Sequence, residues 1–218
     1  MPGGYRKLSD LPALLPVFPL DGALLLPGCQ LPLQIFEPRY LNMVDDVMSG
    51  ARMIGMIQTR LGGDRAAPRL AAIGCAGRVT AYAETGDGRY MITLTGVCRF
   101  EVGEELSVTT PYRQVRPSFT RFAADLEAAD ESVDFDRPAF LAILRRYLDH
   151  KGLEVEWEAA RQAPAGALIN SLAIGLPLDR SEKQALLEAA TLSERGRVLT
   201  ALLEIDAAAD DDEPPPLQ

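Results

Sequence analysis

Histidine, lysine, tryptophan and cysteine are the scarce residues of this chain, and each scarcity removes a class of function. One histidine, His150, cannot build a catalytic triad, a paired-histidine zinc site or a His/Cys metal cluster. The lysines are Lys7, Lys151 and Lys183, and none closes a GxxxxGKS or GxxxxGKT loop of the kind that cradles nucleotide phosphates. A serine–lysine protease dyad needs a lysine placed to activate a serine. Ser181 and Lys183 are close in sequence, but the residues around them read as a helix cap. No enzyme is therefore expected, and no metal or cofactor. Cys29, Cys75 and Cys98 are odd in number, widely spaced and form no CxxC pair. They read as small buried thiols in a reducing cytosol, so a cytoplasmic location is expected. No run of about 18 apolar residues exists to cross a membrane. Near the N-terminus Arg6 and Lys7 lead into prolines and Asp10 and not into the apolar core of a signal peptide.

Bases are also short overall: the net charge is −9. Six acids lie beyond Leu203 with no base among them, and that stretch runs into Pro214-Pro215-Pro216. Residues 206–218 thus read as an acidic, solvating, disordered tail. The body is uneven too. Arg52 to Arg99 holds seven arginines against three acids, whereas Glu101 to Asp136 holds nine acids against three arginines. Such asymmetry marks either an interaction face or the solvated surfaces of different elements.

What is plentiful is punctuation and apolar periodicity. From Val17 to Tyr40 two apolar runs, Ala23–Leu26 and Leu31–Phe36, flank a Pro27-Gly28 turn. They end at Glu37-Pro38-Arg39-Tyr40, where Pro38 suits a first helical turn. Tyr40, Leu41, Val44, Val47 and Met48 follow at helical spacing. The expectation is strand, turn, strand, helix. Arg52–Gln58 is a further short strand. Ile73, Cys75, Gly77, Val79 and Ala81 alternate into the turn Gly86-Asp87-Gly88, and Tyr90, Ile92 and Leu94 return. Phe100–Val102 and Ser107–Val115 are read as two more strands, and Leu61–Pro68 as a mobile loop. Many short strands with small turns suggest a closed or nearly closed antiparallel barrel.

Beyond Phe119 the pattern becomes helical. Arg121–Asp136 is acidic and alanine-rich, a helix or an ordered linker. Asp136 can cap a helix with the stripe Phe140, Leu141, Leu144, Tyr147 and Leu148, ended by Gly152. A helix over about Ala165–Ile174 is closed by Gly175 and Pro177. Ser181–Gln184 and Thr191–Glu194 each fit a capping box. The whole reads as α+β: residues 1–119 strand-rich, 120–205 a compact helical bundle, and 206–218 the tail.

The string VFPLDGALLLPGCQLPLQIFEPRY resembles the opening of the Lon protease N-terminal (substrate-binding) domain family, close to FPL…PG…LPLxIFEPRY. Gln34 stands where that family often has histidine. Further along, Asp87-Gly88-Arg89, Gly96, Arg99-Phe100 and Pro111-Tyr112 match its DGR, GxxRF and PY, and Glu182–Glu188 resembles its EKQxLLE segment. Arg195 is followed by Gly196 in place of the family's leucine. The similarity covers nearly the whole chain. It implies a PUA-like β-barrel subdomain followed by a helical bundle, without the ATPase and protease modules of the full enzyme.

Three functional readings stay open at this point. The first, which the resemblance implies, is a non-catalytic module of protein quality control that binds apolar or unfolded polypeptide segments, or a protein partner. An exposed apolar groove would be needed, lined by Phe18, Leu20, Leu31, Leu33 and Phe36, although all five also suit a core. The second is an RNA-binding PUA-like protein using the Arg52–Arg99 stretch. The negative body, the few lysines and the lack of an aromatic-basic stacking motif disfavour nucleic acid. The third is a small-ligand binder, which needs a pocket with converging polar groups. Pro27, Gly28, Glu37, Pro38, Arg39 and Tyr40 are read as structural: they lock the strand-to-helix corner, with Arg39 costly to lose if it is buried and paired. Trp157, among Glu154, Glu156 and Glu158, is read as a half-buried helix anchor. The sequence leaves the oligomeric state open.

Overall fold

The computed structural model describes residues 4–64, 67–127 and 135–211. The chain divides into two compact units, one of Met1–Ala129 with Leu178–Leu187, the other of Asp130–Pro177 with Glu188–Gln218.

The first unit is built on strands β1 (Leu15–Pro19), β2 (Gln30–Ile35), β3 (Met53–Ile57), β6 (Ile73–Glu84), β7 (Tyr90–Glu105) and β8 (Gln114–Ser118), paired in the order β2-β7-β6-β3-β1-β8. β8 also pairs with β7, so β7, β6, β3, β1 and β8 form a ring of pairings, with β2 outside it on β7. The sheet is mixed, not wholly antiparallel. β1 and β3 run parallel, with Val17 opposite Gly55 and Phe18 opposite Met56. Helix α1 (Pro38–Met48) and β2 lie between them in sequence and supply the long connection that a parallel pair needs. The core of this unit is aliphatic around Phe100, which is fully buried. Gly74 makes room for it: a Cβ there would sit 2.7 Å from the Phe100 ring and 2.6 Å from the Met56 carbonyl oxygen.

Several expected elements are displaced, each for a physical reason. Ala23–Leu26 is not a strand: Leu24, Leu25 and Leu26 are buried, but the ladder position belongs to Leu15–Pro19, which can pair with both β3 and β8. The Pro27-Gly28 turn is present, with Gly28 at φ +77° and its N–H donating to the Gly96 carbonyl. Phe100–Val102 is no separate strand but the continuation of β7, whose 16 residues bend past bulges against β6 and β8. In the stretch Ser107–Val115 only Gln114 onward pairs. Leu61–Pro68 falls within two strands, β4 (Thr59–Asp64) and β5 (Ala67–Leu70), which pair as a two-stranded sheet, with Arg65 and Ala66 outside the described residues.

Helix α5 (Arg180–Glu188) belongs almost entirely to the first unit, whereas the segments on either side of it in sequence belong to the second. Polar bonds hold it there. The Gln58 amide, buried in β3's extension, donates to the Arg180 carbonyl and to Gln184 Oε1, both at 3.1 Å. Gln184 donates to the Ile73 carbonyl at 3.1 Å, and Lys183 Nζ to the Gly22 carbonyl at 2.9 Å. Its cap is Asp179, not Ser181. Asp179 Oδ1 accepts from the Glu182 N–H at 2.8 Å, and Glu182 Oε2 accepts from the Asp179 N–H at 2.7 Å. The capping box therefore lies two residues earlier than the sequence suggests. A short 3-10 segment, Thr120–Leu126, also packs on β7, so the division expected at 119 falls after it.

The second unit contains α2 (Arg137–Lys151), α3 (Trp157–Gln162), α4 (Ala165–Gly175) and α6 (Leu192–Asp211). Asp136 caps α2 through the Ala139 N–H at 3.1 Å, and Gly152 ends it at φ +62°. Phe140, Leu144, Tyr147 and Leu148 form its buried stripe, with Leu141 only half-buried. Thr191 caps α6 by accepting from the Glu194 N–H at 3.1 Å. That helix runs to Asp211, so its last turns occupy the first residues of the expected tail. Arg195, buried in this unit, donates to Asn170 Oδ1 at 3.0 Å, and the following Gly196 lets Ile169 approach closely.

Candidate binding cleft

In the first unit the end of β1, the start of α1 and the segment before β8 enclose a cleft of about 250 Å³. β1 delivers Pro19 and then Leu20, whose N–H donates to the Ile57 carbonyl at 2.9 Å. The helix start delivers Arg39 and Tyr40. β5 supplies Pro68, and Pro111, Tyr112 and Arg113 close the far wall. The floor is rigid: Tyr40 packs on Phe18 with ring centroids 4.3 Å apart, and Tyr112 donates to Asp46 Oδ2 at 2.6 Å. Both tyrosines are buried. Burial pushes the Tyr40 phenol up, and burial followed by the bond to Asp46 pushes that of Tyr112 up to about 12. Neither ionises at neutral pH.

The rim is charged. Arg113 donates to both Glu105 oxygens at 2.6 and 2.7 Å, and to the Pro68 carbonyl at 2.8 Å. Asp21 accepts from the Thr59 N–H at 2.7 Å and from Arg180 at 2.9 Å. Desolvation raises the Asp21 carboxyl, but these bonds outweigh it and hold it below the usual carboxylate range. Arg39 donates through Nε and Nη2 to Glu37 Oε2 at 3.0 and 2.7 Å and lies 4.6 Å over the Tyr40 ring. Its side chain is half exposed, so it is not the buried, costly arginine considered from the sequence. The cleft has prolines and tyrosines for walls and guanidinium groups on its edge. Among the described residues, no group of three or more His, Cys, Asp or Glu is placed to hold a metal.

The five apolar residues expected to form a groove do not share one surface. Phe18 and Leu33 are buried, and Leu31 is half-buried. Leu20 lines the cleft. Phe36 is 61 % exposed, with the Arg89 guanidinium 6.0 Å over its ring. Of the motif residues, Pro38 stands in the first turn of α1 and Glu37 at its N-cap, while Arg39 and Tyr40 line the cleft. Sequence reasoning missed Arg113, Pro68 and Asp21. Pro111-Tyr112 was visible as a motif, but nothing in a linear pattern links it to Arg39.

The Arg52–Arg99 arginines do not form one basic face. Arg99 is buried against Asp125, Arg78 donates to the Tyr5 hydroxyl, and Arg89 pairs with Asp87; Arg65 lies outside the described residues.

The family of the ATP-dependent protease La (LON) substrate-binding domain matches residues 14–204. The chain is 28 % identical over 198 residues to a Lon protease of Roseiflexus castenholzii, covering 89 % of this chain and 24 % of that protein. It is 26 % identical over 212 residues to Lon protease 2 of Myxococcus xanthus, covering 93 % of this chain and 25 % of that protein. It thus spans about a quarter of the length of the curated relatives it matches. Among solved structures, the Lon N-terminal domain protein from Xanthomonas campestris superposes with a TM-score of 0.62 at 24 % identity, covering 86 % of this chain and 97 % of that one. The N-terminal domain of Mycobacterium avium complex Lon protease gives 0.60 at 19 % identity, covering 90 % and 98 %.

Proposed function

This chain belongs to the ATP-dependent protease La (LON) substrate-binding domain family, and from that premise we propose that it is a non-catalytic module that recognises apolar stretches of unfolded polypeptide. The cleft carries this reading. Proline and tyrosine walls accept an apolar side chain, and Arg39 and Arg113 on the rim can donate to the peptide carbonyls on either side of it. Little ordering is needed on the protein side, because Tyr40 and Tyr112 are already held by Phe18 and Asp46. The RNA reading is weaker, since Arg99 is buried against Asp125 and Arg78 is held by the Tyr5 hydroxyl, so the arginines of that stretch do not gather on one face.

The test is fluorescence anisotropy with a labelled, unstructured apolar peptide. Leu20→Asp places a charge on the cleft wall at a half-buried site and is expected to abolish binding. Arg39→Ala breaks a largely exposed pair, worth at most about 1 kcal/mol to stability, and is expected to weaken binding while the melting temperature holds. Unchanged affinity in both variants would remove the cleft from consideration.

A further inference from the structure

The helical unit carries a concavity of about 500 Å³ between α2 and α3. Leu141, Arg145, Arg146 and Asp149 lie along one face of α2; Trp157 and Arg161, one turn apart, come from α3. The Arg145 guanidinium lies 4.7 Å over the Trp157 ring. A further arginine fastens the two walls together. Arg137, at the start of α2, donates to the Ala160, Arg161 and Ala163 carbonyls at the end of α3, at 2.9, 3.0 and 2.6 Å. The groove is thus formed before anything enters it, which lowers the ordering cost of binding.

Its charge is opposite to that of the chain. Three guanidinium groups and one carboxylate line it, whereas the net charge is −9. Among the described residues Arg145 and Arg146 make no ion pair. Arg161 reaches Glu158 only at 3.7 Å, with both side chains more than half exposed. All three cations are arginines, with no lysine among them. A guanidinium fork meets a carboxylate through two parallel hydrogen bonds and also stacks on flat groups. Tryptophan and arginine are enriched where protein partners anchor, and lysine is depleted there.

The neighbouring acids select among anionic partners. Glu154, Glu156 and Glu158 are exposed around the start of α3 and do not line the groove. A nucleic-acid strand carries a phosphate at every step and would be repelled by them. A polypeptide with a few carboxylates can set those on the arginines and keep the rest of its length away.

We propose that the Arg145–Arg146–Trp157–Arg161 groove docks an acidic polypeptide segment of another protein, its carboxylates on the arginine forks and an apolar side chain on Leu141 and the indole. This is a second recognition surface, with a chemistry different from that of the cleft and independent of it.

Trp157 is the sole tryptophan, so intrinsic fluorescence of the full chain reads the groove, and its outcome is separate from that of the cleft. A capped, tryptophan-free peptide repeating Glu-Glu-Leu is expected to blue-shift the emission and shield it from acrylamide, with affinity that falls as salt rises. Gln-Gln-Leu and Glu-Glu-Ser peptides should each bind at least about tenfold more weakly, and so should Glu-Glu-Leu to an Arg146→Ala/Arg161→Ala variant. Both arginines are exposed, so the variant should keep its melting temperature. Arg146→Lys/Arg161→Lys should recover only part of the affinity, because the charge returns without the fork. No spectral response to millimolar peptide would overturn the proposal, as would equal affinity for the Gln-Gln-Leu peptide. A single-stranded RNA that displaces the peptide and binds more tightly would assign the groove to nucleic acid and overturn it too. So would self-association of the chain that the alanine variant loses, because the occupant would then be a second copy.

Discussion

Removing the Asp125 carboxylate should be among the most damaging single changes in this protein. Arg99 is 4 % exposed. Its Nε and backbone N–H both donate to Asp125 Oδ2 at 2.9 Å, and its Nη2 donates to Oδ1 at 2.8 Å. The guanidinium also lies 4.4 Å over the Phe122 ring, and Nη1 donates to the Leu187 carbonyl at 3.1 Å. In Asp125→Ala the cation stays buried without its counter-charge, and a backbone N–H loses its acceptor. Breaking a buried pair from one side costs about 3–5 kcal/mol, a large part of the 5–15 kcal/mol that holds a typical domain together. At roughly 2–4 °C per kcal/mol for a chain of this size, the melting temperature should fall by about 6–20 °C. Urea titration followed by circular dichroism measures the same loss as a shift in midpoint at constant slope. The double variant Arg99→Met/Asp125→Leu should recover most of the stability, since apolar residues of similar volume can replace a buried pair at little cost. A loss below about 1 kcal/mol in Asp125→Ala, or a double variant no better than the single, would refute the argument.

Other expectations follow from single sites. Arg52 holds φ +56° just past α1, where its N–H donates to the Val47 carbonyl; Arg52→Gly should therefore stabilise by about 0.5–1 kcal/mol in urea titration. Burial, then the nearby Asp125 charge, pushes the Cys98 thiol up to about 12, and Cys75 is raised by burial as well. At pH 8 iodoacetamide should label the half-buried Cys29 alone until denaturant is added, as read by mass spectrometry. Asp21 titrates below its ordinary value, so its contribution is complete above about pH 4 and fades as pH falls through the folded-state value. Asp21→Asn should accordingly show a flatter dependence of melting temperature on pH below 4 than the unmodified protein.

Much of the helical unit could be read from its punctuation. Asp136, Gly152, Gly175 and Thr191 mark real helix ends because the side-chain caps Asp136 and Thr191 and the left-handed Gly152 act within a few residues of themselves, and Gly175 is the last residue of its helix. The strand-rich unit was legible where hairpins are local, as at Gly86-Asp87-Gly88 between β6 and β7. It was not legible at β1, whose partners lie about 40 and 100 residues away along the chain and include a parallel one. Ala23–Leu26 is as apolar as a strand because three leucines fill the interior from an irregular segment, and hydrophobicity alone does not distinguish the two. The cleft was hidden for the same reason: Leu20, Arg39, Pro68 and Arg113 come from four separate segments. Arg39 misled because a motif position says nothing of exposure.

The membership of α5 bears on how the protein is made. Ribosomal synthesis delivers residues in order, and the strands are complete by Ser118, yet Gln58, Arg99 and the Ile73 and Gly22 carbonyls await groups on Arg180–Leu187. Until that helix emerges, about 60 residues later, the nascent strand-rich unit holds a buried arginine short of an acceptor and a glutamine short of its partners. Its last stabilising step is thus post-translational to most of its own sequence, and it comes after the first three helices of the other unit have left the exit tunnel. A gene fragment stopped at residue 129 reproduces this unfinished intermediate and should be an aggregation-prone product, whereas one carried to residue 188 also encodes the α5 groups that Gln58, Arg99, Ile73 and Gly22 meet and should be less so.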